Sequence, residues 1–305
     1  MGAYKIIMLG RTSTGKSSLR TSIFTNTDQF YSIGPTEDVM HSSNSYLGHF
    51  IKMMDYSGKP EAIAHQLANE KETFSTTAAM MFFFDAGATN METEMDLNTY
   101  RMALELLLKY SPEAKVFVFL HKIDLVRGNE ETALRNLKMQ ILARNKTIDC
   151  CQIQLNLNMK YLPSTVYDYT LFKSWSIVFQ RTVPLPSGMK EKLRLMGERM
   201  ELDQIALIDT RGHIIAAHLI LKKQDCFDDP DFVFKFIYMY KIEDDNGISM
   251  EFYDKTVFLE EFMPSTLLLC ITQDQNVEKE FIDFHIDANM HHFEKYNMFW
   301  SKCFM

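Results

Sequence analysis

The sequence predicts an α/β protein in which a domain with a mostly parallel sheet precedes a smaller α+β domain. In the first part of the chain, short apolar runs alternate with helical patterns, as in a doubly wound sheet. A Pro/Gly/Ser-rich segment at Thr182–Gly188 then interrupts the pattern. At 305 residues the chain is long enough for two domains, and we place the boundary between 1–183 and 184–305.

The first domain is predicted from buried apolar runs and one helical stripe. Leucines and a tyrosine recur at helical spacing over Leu97–Tyr110, which indicates an amphipathic helix. The predicted strands are Lys5–Leu9, a strand near Ser45–Phe50, Ile51–Met54, Ala79–Phe84, Val116–Leu120 and Cys151–Leu157.

The second domain shows a different order of elements. We predict one helix, two strands, a helix, three strands and a last helix, an order typical of a single antiparallel sheet packed against helices. The predicted helices are Met189–Glu201, a stripe from Phe232 to Tyr240, and Val277–Tyr296; the strands are Gln204–Asp209, Ile214–Leu221, Met250–Tyr253, Thr256–Phe262 and Thr266–Thr272.

A phosphate-binding loop follows the first predicted strand. The segment from Gly10 to Ser17 reads GRTSTGKS and matches G-x-x-x-x-G-K-[ST] between a strand and a helix. Backbone N–H groups of such a loop surround phosphates, and the lysine, Lys16, reaches the β- and γ-phosphates. The predicted nucleotide contacts here are Thr12, Ser13, Thr14, Gly15, Lys16, Ser17 and Ser18. We therefore predict that the chain binds a nucleoside triphosphate.

A second motif predicts which base is bound. The apolar run Val116–Leu120 ends in His121-Lys122-Ile123-Asp124, a variant of the guanine motif N/T-K-x-D with His121 in the first position. The Asp124 carboxylate can accept hydrogen bonds from N1–H and the amine of guanine, whereas adenine would leave it unpaired. The stem of Lys122 can cover the purine face. The motif therefore favours guanine.

A third motif, D-x-x-G, lies between the other two at Asp55–Gly58. In GTPases this aspartate holds Mg²⁺ through water and the glycine N–H senses the γ-phosphate. Thr36 stands where the first switch loop supplies an oxygen ligand. We predict Ser17, Thr36 and Asp55 as metal ligands, and Thr36 and Gly58 as contacts of the γ-phosphate.

Taken together, these motifs resemble the Rag GTPases, nearer the A/B type than the C/D type. The resemblance is specific to about residue 183 and looser beyond, where HFEK from His292 continues it. A histidine such as His121 in the base motif is itself typical of that family. The base-side loop is matched by Ser164–Val166, which implies nucleotide contacts from Thr165 and Val166. The resemblance is carried by GRTSTGKS from Gly10, GPTEDVMHS from Gly34, SPEAKVF from Ser111, HKIDLV from His121 and YDYTLFKSWS from Tyr167.

The resemblance implies a biological setting. It implies a P-loop GTPase domain that binds GTP or GDP with Mg²⁺, followed by a roadblock-type (longin-like) dimerisation domain. The chain would pair with a C/D-type Rag subunit into a heterodimer. A membrane scaffold complex would recruit that heterodimer from the cytoplasm to the lysosomal or vacuolar surface. There it would convey amino-acid sufficiency to the target-of-rapamycin kinase complex.

One position departs from the family. After D-x-x-G, Rag proteins and Ras-like GTPases carry a glutamine that orients the attacking water, and this chain has Lys59. Lysine donates hydrogen bonds but cannot accept one from water. We predict slow intrinsic hydrolysis, with Lys59 pairing with the γ-phosphate, unless a shift in the alignment of this variable loop moves the position.

Composition excludes several other classes of protein. A net charge of −8 argues against a nucleic-acid partner. No apolar run approaches the 18 residues or so that span a bilayer, and five cysteines without C-x-x-C spacing suit the cytosol. Ile6 stands where myristoylation needs Ser or Thr, and Cys303 misses prenylation spacing. We therefore expect no direct lipid anchor.

Two alternative functions remain open. The first is a scaffold subunit that holds GTP as a structural ligand, which Lys59 favours. The second is a P-loop ATPase or kinase, against which Asp124 argues.

Overall fold

A computed structural model describes residues 3–25, 36–37, 39–46, 49–145, 159–210, 214–222, 229, 231–240, 248–252 and 255–293. The chain forms two compact units. One comprises Met1–Asn44 and Phe50–Ser174, and the other comprises Ser45–His49 and Trp175–Met305. The boundary predicted after residue 183 stays a prediction.

Within the described ranges, the first sheet has six strands in the order β2-β3-β1-β4-β5-β6. Strand β1 pairs in parallel with both β3 and β4, and β5 pairs in parallel with β4 and β6. The strands are β1 Tyr4–Leu9, β2 Val39–Tyr46, β3 His49–Tyr56, β4 Thr77–Asp85, β5 Lys115–His121 and β6 Met159–Ser164. The mixed α/β architecture with a mostly parallel sheet is confirmed.

Helices connect the strands of this sheet, except between β2 and β3, and a further helix follows β6. They are α1 Lys16–Thr25, α2 Pro60–Ala68, α3 Glu70–Phe74, α4 Asn90–Tyr110, α5 Glu130–Asn145 and α6 Thr170–Thr182. A short 3-10 helix, Ile123–Val126, follows β5.

The central strands are apolar on both faces because helices cover both sides of a parallel sheet. Phe83 on β4 stacks on Phe119 on β5 with ring centroids 4.7 Å apart, while Phe82 meets the edge of Tyr100 on α4 at 5.1 Å. Phe82 and Phe83 are both fully buried. This packing fixes the register of the sheet and thereby the positions of the loops at its carboxyl edge.

Three predicted elements either differ from the structure or lie outside the described residues. The strand expected near Ser45–Phe50 covers the end of β2 and the start of β3. Helix α4 begins at Asn90 rather than Leu97, because Thr89 and Glu92 form a capping box that starts the helix there. Its first turns are largely polar, so the apolar stripe that predicted the helix begins only later. The strand predicted at Cys151–Leu157 lies outside the described residues; the structure places β6 at Met159–Ser164.

The second sheet has five strands in the part of the chain that the structure describes, in the order β8-β7-β11-β10-β9, and the described pairs are antiparallel. Its core includes Phe236, Ile208 and Leu269. The strands are β7 Gln204–Asp209, β8 Ile214–Ile220, β9 Ile248–Phe252, β10 Lys255–Met263 and β11 Thr266–Thr272, and the helices are α7 Met189–Arg199, α8 Phe232–Tyr240 and α9 Lys279–Met290. The predicted order of elements is found, and the roadblock-type assignment stays a prediction.

None of the helices in the ranges given above is both long enough and apolar enough to cross a membrane.

Candidate nucleotide-binding site

The predicted site residues converge because parallel strands end at one edge of the first sheet. Strand β1 leads into Gly10, β3 carries Asp55 at its end, and β5 and β6 end at His121 and Ser164. Strand β4 ends there too, at Asp85, which pairs in register with His121. Ligands of open α/β sheets bind at this carboxyl edge.

The phosphate loop turns directly into α1. The N–H of Leu19 donates to Gly15 O at 2.9 Å, so the helix starts within the loop and directs its positive end towards it. Lys16 is 5% exposed, and its Nζ donates to Gly10 O at 2.8 Å and Arg11 O at 3.0 Å. Burial lowers the pKa of Lys16 to about 8, while the nearby Asp55 raises it. A bound phosphate would give this ammonium an anionic hydrogen-bond partner in addition to the two carbonyl oxygens.

The other predicted residues of this loop line the same turn. Thr14 is buried and its Oγ1 donates to Arg11 O at 2.9 Å, whereas Ser13 is exposed with a φ of 66°. Ser17 and Ser18 stand half-buried in the first turn of α1. The loop therefore presents its backbone and the first turn of the helix at the sheet edge.

The three predicted metal ligands are brought together. Ser17 Oγ and Thr36 Oγ1 are 2.7 Å apart, and the Ser17 hydroxyl lies near enough to the Asp55 carboxylate to lower its pKa. Asp55 is fully buried; Arg20 Nε donates to its Oδ2 at 3.3 Å, and its Oδ1 has no partner among the described residues. Burial has the larger effect and raises the pKa of Asp55.

Two hydroxyls and a carboxylate with a free oxygen are the hard ligands that Mg²⁺ prefers. The unpartnered Oδ1 of Asp55 is costly without a cation or donor, and a divalent cation would favour its ionised form. The residues present thus fit the predicted magnesium ion.

Gly58 lies against the phosphate loop. Its carbonyl accepts a hydrogen bond from Thr12 N at 3.0 Å, and a Cβ at this position would overlap Thr12 N and Arg11 C and lie 2.7 Å from Gly10 O. Only glycine fits so close to a neighbouring backbone. The D-x-x-G motif and the phosphate loop are therefore one packed unit.

Lys59 takes the position that precedes α2, with Pro60 in the first turn. Its Nζ forms an ion pair with Glu37, the residue after Thr36. Both side chains are exposed, so the pair is weak in water. It joins the segment after Gly58 to the segment that carries Thr36.

The base-side residues form a second cluster. Thr165 Oγ1 donates to Asp124 Oδ1 at 2.5 Å, which orients that carboxylate. Lys122 has a left-handed backbone with a φ of 59°, and its Nζ donates to Asp85 Oδ2 at 2.7 Å. Val166 follows Thr165 and is half-buried. The structure thus brings together the two loops that were predicted to contact the base.

His121 connects the two clusters. It is buried, its Nδ1 lies 2.8 Å from Ser164 Oγ, and its ring fills the space beside Gly15, where a Cβ would overlap it. Gly15 has a φ of 92°, which a side chain would strain. Burial lowers the pKa of His121 from 6.5 to about 4, so the imidazole is neutral at pH 7.

This buried histidine predicts a pH dependence that His121→Asn should remove. The folded pKa lies below the unfolded value, so the unfolded chain binds the proton first. The contribution of the neutral His121 ring to the free energy of unfolding is complete above pH 6.5 and is lost as the pH falls towards 4. Relative to His121→Asn, the wild type should lose up to about 3 kcal/mol of unfolding free energy across that range. Urea denaturation at several pH values measures the difference, with the exposed His65→Asn as control; a difference independent of pH would contradict it.

Sequence reasoning missed four side chains at this edge. Arg11, within the phosphate loop, contacts Glu92 at 2.5 Å and Asp96 at 3.5 Å, both on α4. Asp85 ends a buried strand as the predicted residues do, so the same argument could have found it. The capping pattern T-x-x-E could have located Glu92. No comparable signal marked Asp96, which is buried within the helix.

Comparison with known proteins agrees with this geometry. The family described as "Gtr1/RagA G protein conserved region" matches residues 5–236. "GTP-binding protein GTR1" of Saccharomyces cerevisiae is 30% identical over 215 residues, covering 69% of this chain and 67% of the relative. "Ras-related GTP-binding protein A" of Dictyostelium discoideum is 24% identical over 96% of this chain and 97% of its own length. Human "Ras-related GTP-binding protein C" is 23% identical over 95% of this chain and 75% of its own.

The family match covers more than half of the chain, and the GTP-binding motifs of the sequence meet at one site. The chain belongs to the Rag family of GTP-binding proteins, of the A/B (Gtr1) type.

Proposed function

We propose that this chain is a guanine-nucleotide-dependent switch whose nucleotide state is set at the carboxyl edge of the first sheet. The observation that carries the proposal is the contact between Ser17 Oγ and Thr36 Oγ1, 2.7 Å apart. It joins the phosphate loop to the segment predicted to sense the γ-phosphate, next to a buried Asp55 with a free oxygen. Such a segment is ordered by triphosphate and released after hydrolysis in switch proteins.

In this proposal each residue has one task. Lys16 and the N–H groups of the loop hold the phosphates, while Asp124 accepts hydrogen bonds from guanine and Lys122 covers its face. Ser17, Thr36 and Asp55 would hold Mg²⁺, which supplies positive charge to the β- and γ-phosphates when bound. Gly58 places its backbone against the loop, so that loss of the γ-phosphate would change the position of the segment that leads into α2.

Lys59 makes intrinsic hydrolysis slow in this proposal, since a lysine cannot accept a hydrogen bond from the attacking water. Lys59→Gln introduces both an acceptor and a donor and should raise the single-turnover rate by roughly tenfold or more. Glu37→Gln is the matched control, because it removes the partner of Lys59 without adding an acceptor beside Gly58. A Lys59→Gln rate equal to wild type would mean that position 59 does not face the γ-phosphate.

The ion pair between Lys59 and Glu37 favours a second candidate function, a scaffold subunit that retains GTP. The pair is a direct, though weak, contact between the two segments that flank the predicted position of the γ-phosphate. GTP retained by the assembled dimer even after addition of cell extract would support the scaffold over the switch.

We further propose that the chain acts in a heterodimer with a C/D-type Rag subunit. The antiparallel sheet of the second unit would serve as a roadblock-type dimerisation domain, in which β8 and β9 are the outermost of the described strands. By analogy with the family, the dimer would be recruited through a scaffold complex to the lysosomal or vacuolar surface. There it would signal amino-acid sufficiency to the target-of-rapamycin kinase complex.

The testing experiment identifies the nucleotide bound to the purified chain by chromatography. It then follows single-turnover hydrolysis with Mg²⁺, alone and with a C/D-type partner. Conversion of GTP to GDP supports the switch, and GTP that persists in both samples supports the scaffold or a need for an activating protein. Bound ATP, or no bound nucleotide, would overturn the proposal.

A further inference from the structure

A pocket of about 490 Å³ opens between α2 and α4, beside the nucleotide site. Its walls are largely apolar, with Ile63 and Leu67 from α2 and Met95 and Met102 from α4. Both methionines are half exposed, at 50% each. A volume in the hundreds of cubic ångströms with apolar walls is typical of sites for small organic molecules.

One polar side chain in this pocket is incompletely satisfied. Asp96 is 3% exposed and lines the pocket. Its Oδ1 lies 3.5 Å from Arg11 Nε, while its Oδ2 is buried with no hydrogen-bond partner among the residues described. Burial raises the pKa of Asp96 to about 6. A buried carboxylate oxygen without a donor is costly, so a ligand that supplied one would gain affinity.

The charges around Asp96 favour a cation as that donor. Arg11 is the cation at the pocket wall, and it is shared, since its Nη1 also pairs with Glu92 at 2.5 Å. Two carboxylates therefore face one guanidinium, and the buried ammonium of Lys16 nearby is shared between Asp96 and Asp55. The next acid on α4, Glu94, pairs with Arg144 instead.

We propose that the pocket between α2 and α4 binds a small organic amine, with its apolar body against Ile63, Leu67 and the two methionines and its ammonium donating to Asp96 Oδ2. An amine supplies both the missing donor and a further positive charge, whereas a neutral alcohol supplies the donor alone. The site is separate from the base and metal positions, but Arg11 and Gly58 belong to its wall as well as to the nucleotide site. A bound amine would therefore hold α2 against α4 next to the phosphate loop.

The test uses the full chain saturated with GDP and methyl-labelled at methionine. 4-Phenylbutylamine is titrated against it, with 4-phenylbutan-1-ol as the matched neutral probe. We expect saturable shifts of the Met95 and Met102 methyl resonances, identified by Met→Leu substitution, and about tenfold weaker binding of the alcohol. No saturable shift of these resonances, or equal affinity for the two probes, would overturn the proposal.

Two pairs of variants separate this site from general effects on the fold. Asp96→Asn should weaken amine binding about tenfold and leave alcohol binding unchanged, while Glu94→Gln on the same helix should change neither. Ala64→Leu narrows the pocket from an exposed position and should weaken both probes, whereas Ala62→Leu on the same helix adds the same bulk at a position that does not line the pocket. Amine binding that survives both Asp96→Asn and Ala64→Leu would place the probe elsewhere.

Discussion

Replacing Lys16 with methionine is expected to reduce affinity for GTP and GDP by about a hundredfold or more. Methionine keeps the apolar stem and removes the ammonium, which would make charge-assisted hydrogen bonds to phosphate oxygens. The structure holds that ammonium at the loop, 2.8 Å from Gly10 O and 3.0 Å from Arg11 O. With a pKa of about 8, Lys16 is mostly protonated at pH 7 and needs no further proton when phosphate binds.

Displacement of a fluorescent GDP analogue measures this loss of affinity. A second readout separates a binding role from a structural one. Because burial disfavours the charged lysine, Lys16→Met should leave the free energy of unfolding without nucleotide unchanged or higher. Lys52→Met, on β3, is the control for loss of a lysine and should bind nucleotide like wild type. A Lys16→Met affinity within about threefold of wild type would contradict the assignment of this loop.

The sequence was most informative where function depends on strand ends. The three motifs begin at Gly10, Asp55 and His121, each directly after a mostly apolar run, and parallel strands bring those ends to one edge. For this reason the predicted phosphate, metal and base residues could be grouped without coordinates. The same rule would have added Asp85, had the end of β4 been read as part of the site.

What could not be predicted depends on side chains that meet across elements distant in the sequence. The ion pair of Lys59 with Glu37 and the contact of Arg11 with Asp96 join residues on separate elements, and no local pattern encodes them. Periodicity also failed for the first turns of α4, where capping and pairing rather than core packing decide the residues. The pocket between α2 and α4 depends on how those two helices pack, and spacing within either helix does not specify it.

Asp124→Asn is expected to invert the base preference from guanine to xanthine nucleotides. Thr165 Oγ1 donates to Asp124 Oδ1 at 2.5 Å, so an asparagine can keep that contact with its carbonyl oxygen and present its amide to the base. Guanine would then present its own two donors, N1–H and the amine, to this amide donor. Xanthine instead carries an acceptor at C2. A site that mismatches the hydrogen-bond pattern of its ligand discriminates by about 10⁴-fold, so GDP affinity should fall by about a thousandfold or more.

Competition between GDP and XDP for the same fluorescent nucleotide measures that inversion. Asp168→Asn is the matched control, since Asp168 lies on the loop after β6 that also carries Thr165, but its carboxylate accepts from Thr170 at the start of α6. It should retain the preference for GDP. If Asp124→Asn also keeps that preference, the carboxylate does not read the base, and guanine selection must come from the backbone of the loop after β6. A loss of both nucleotides together would instead indicate a collapsed base-side loop, which thermal unfolding of the variant distinguishes.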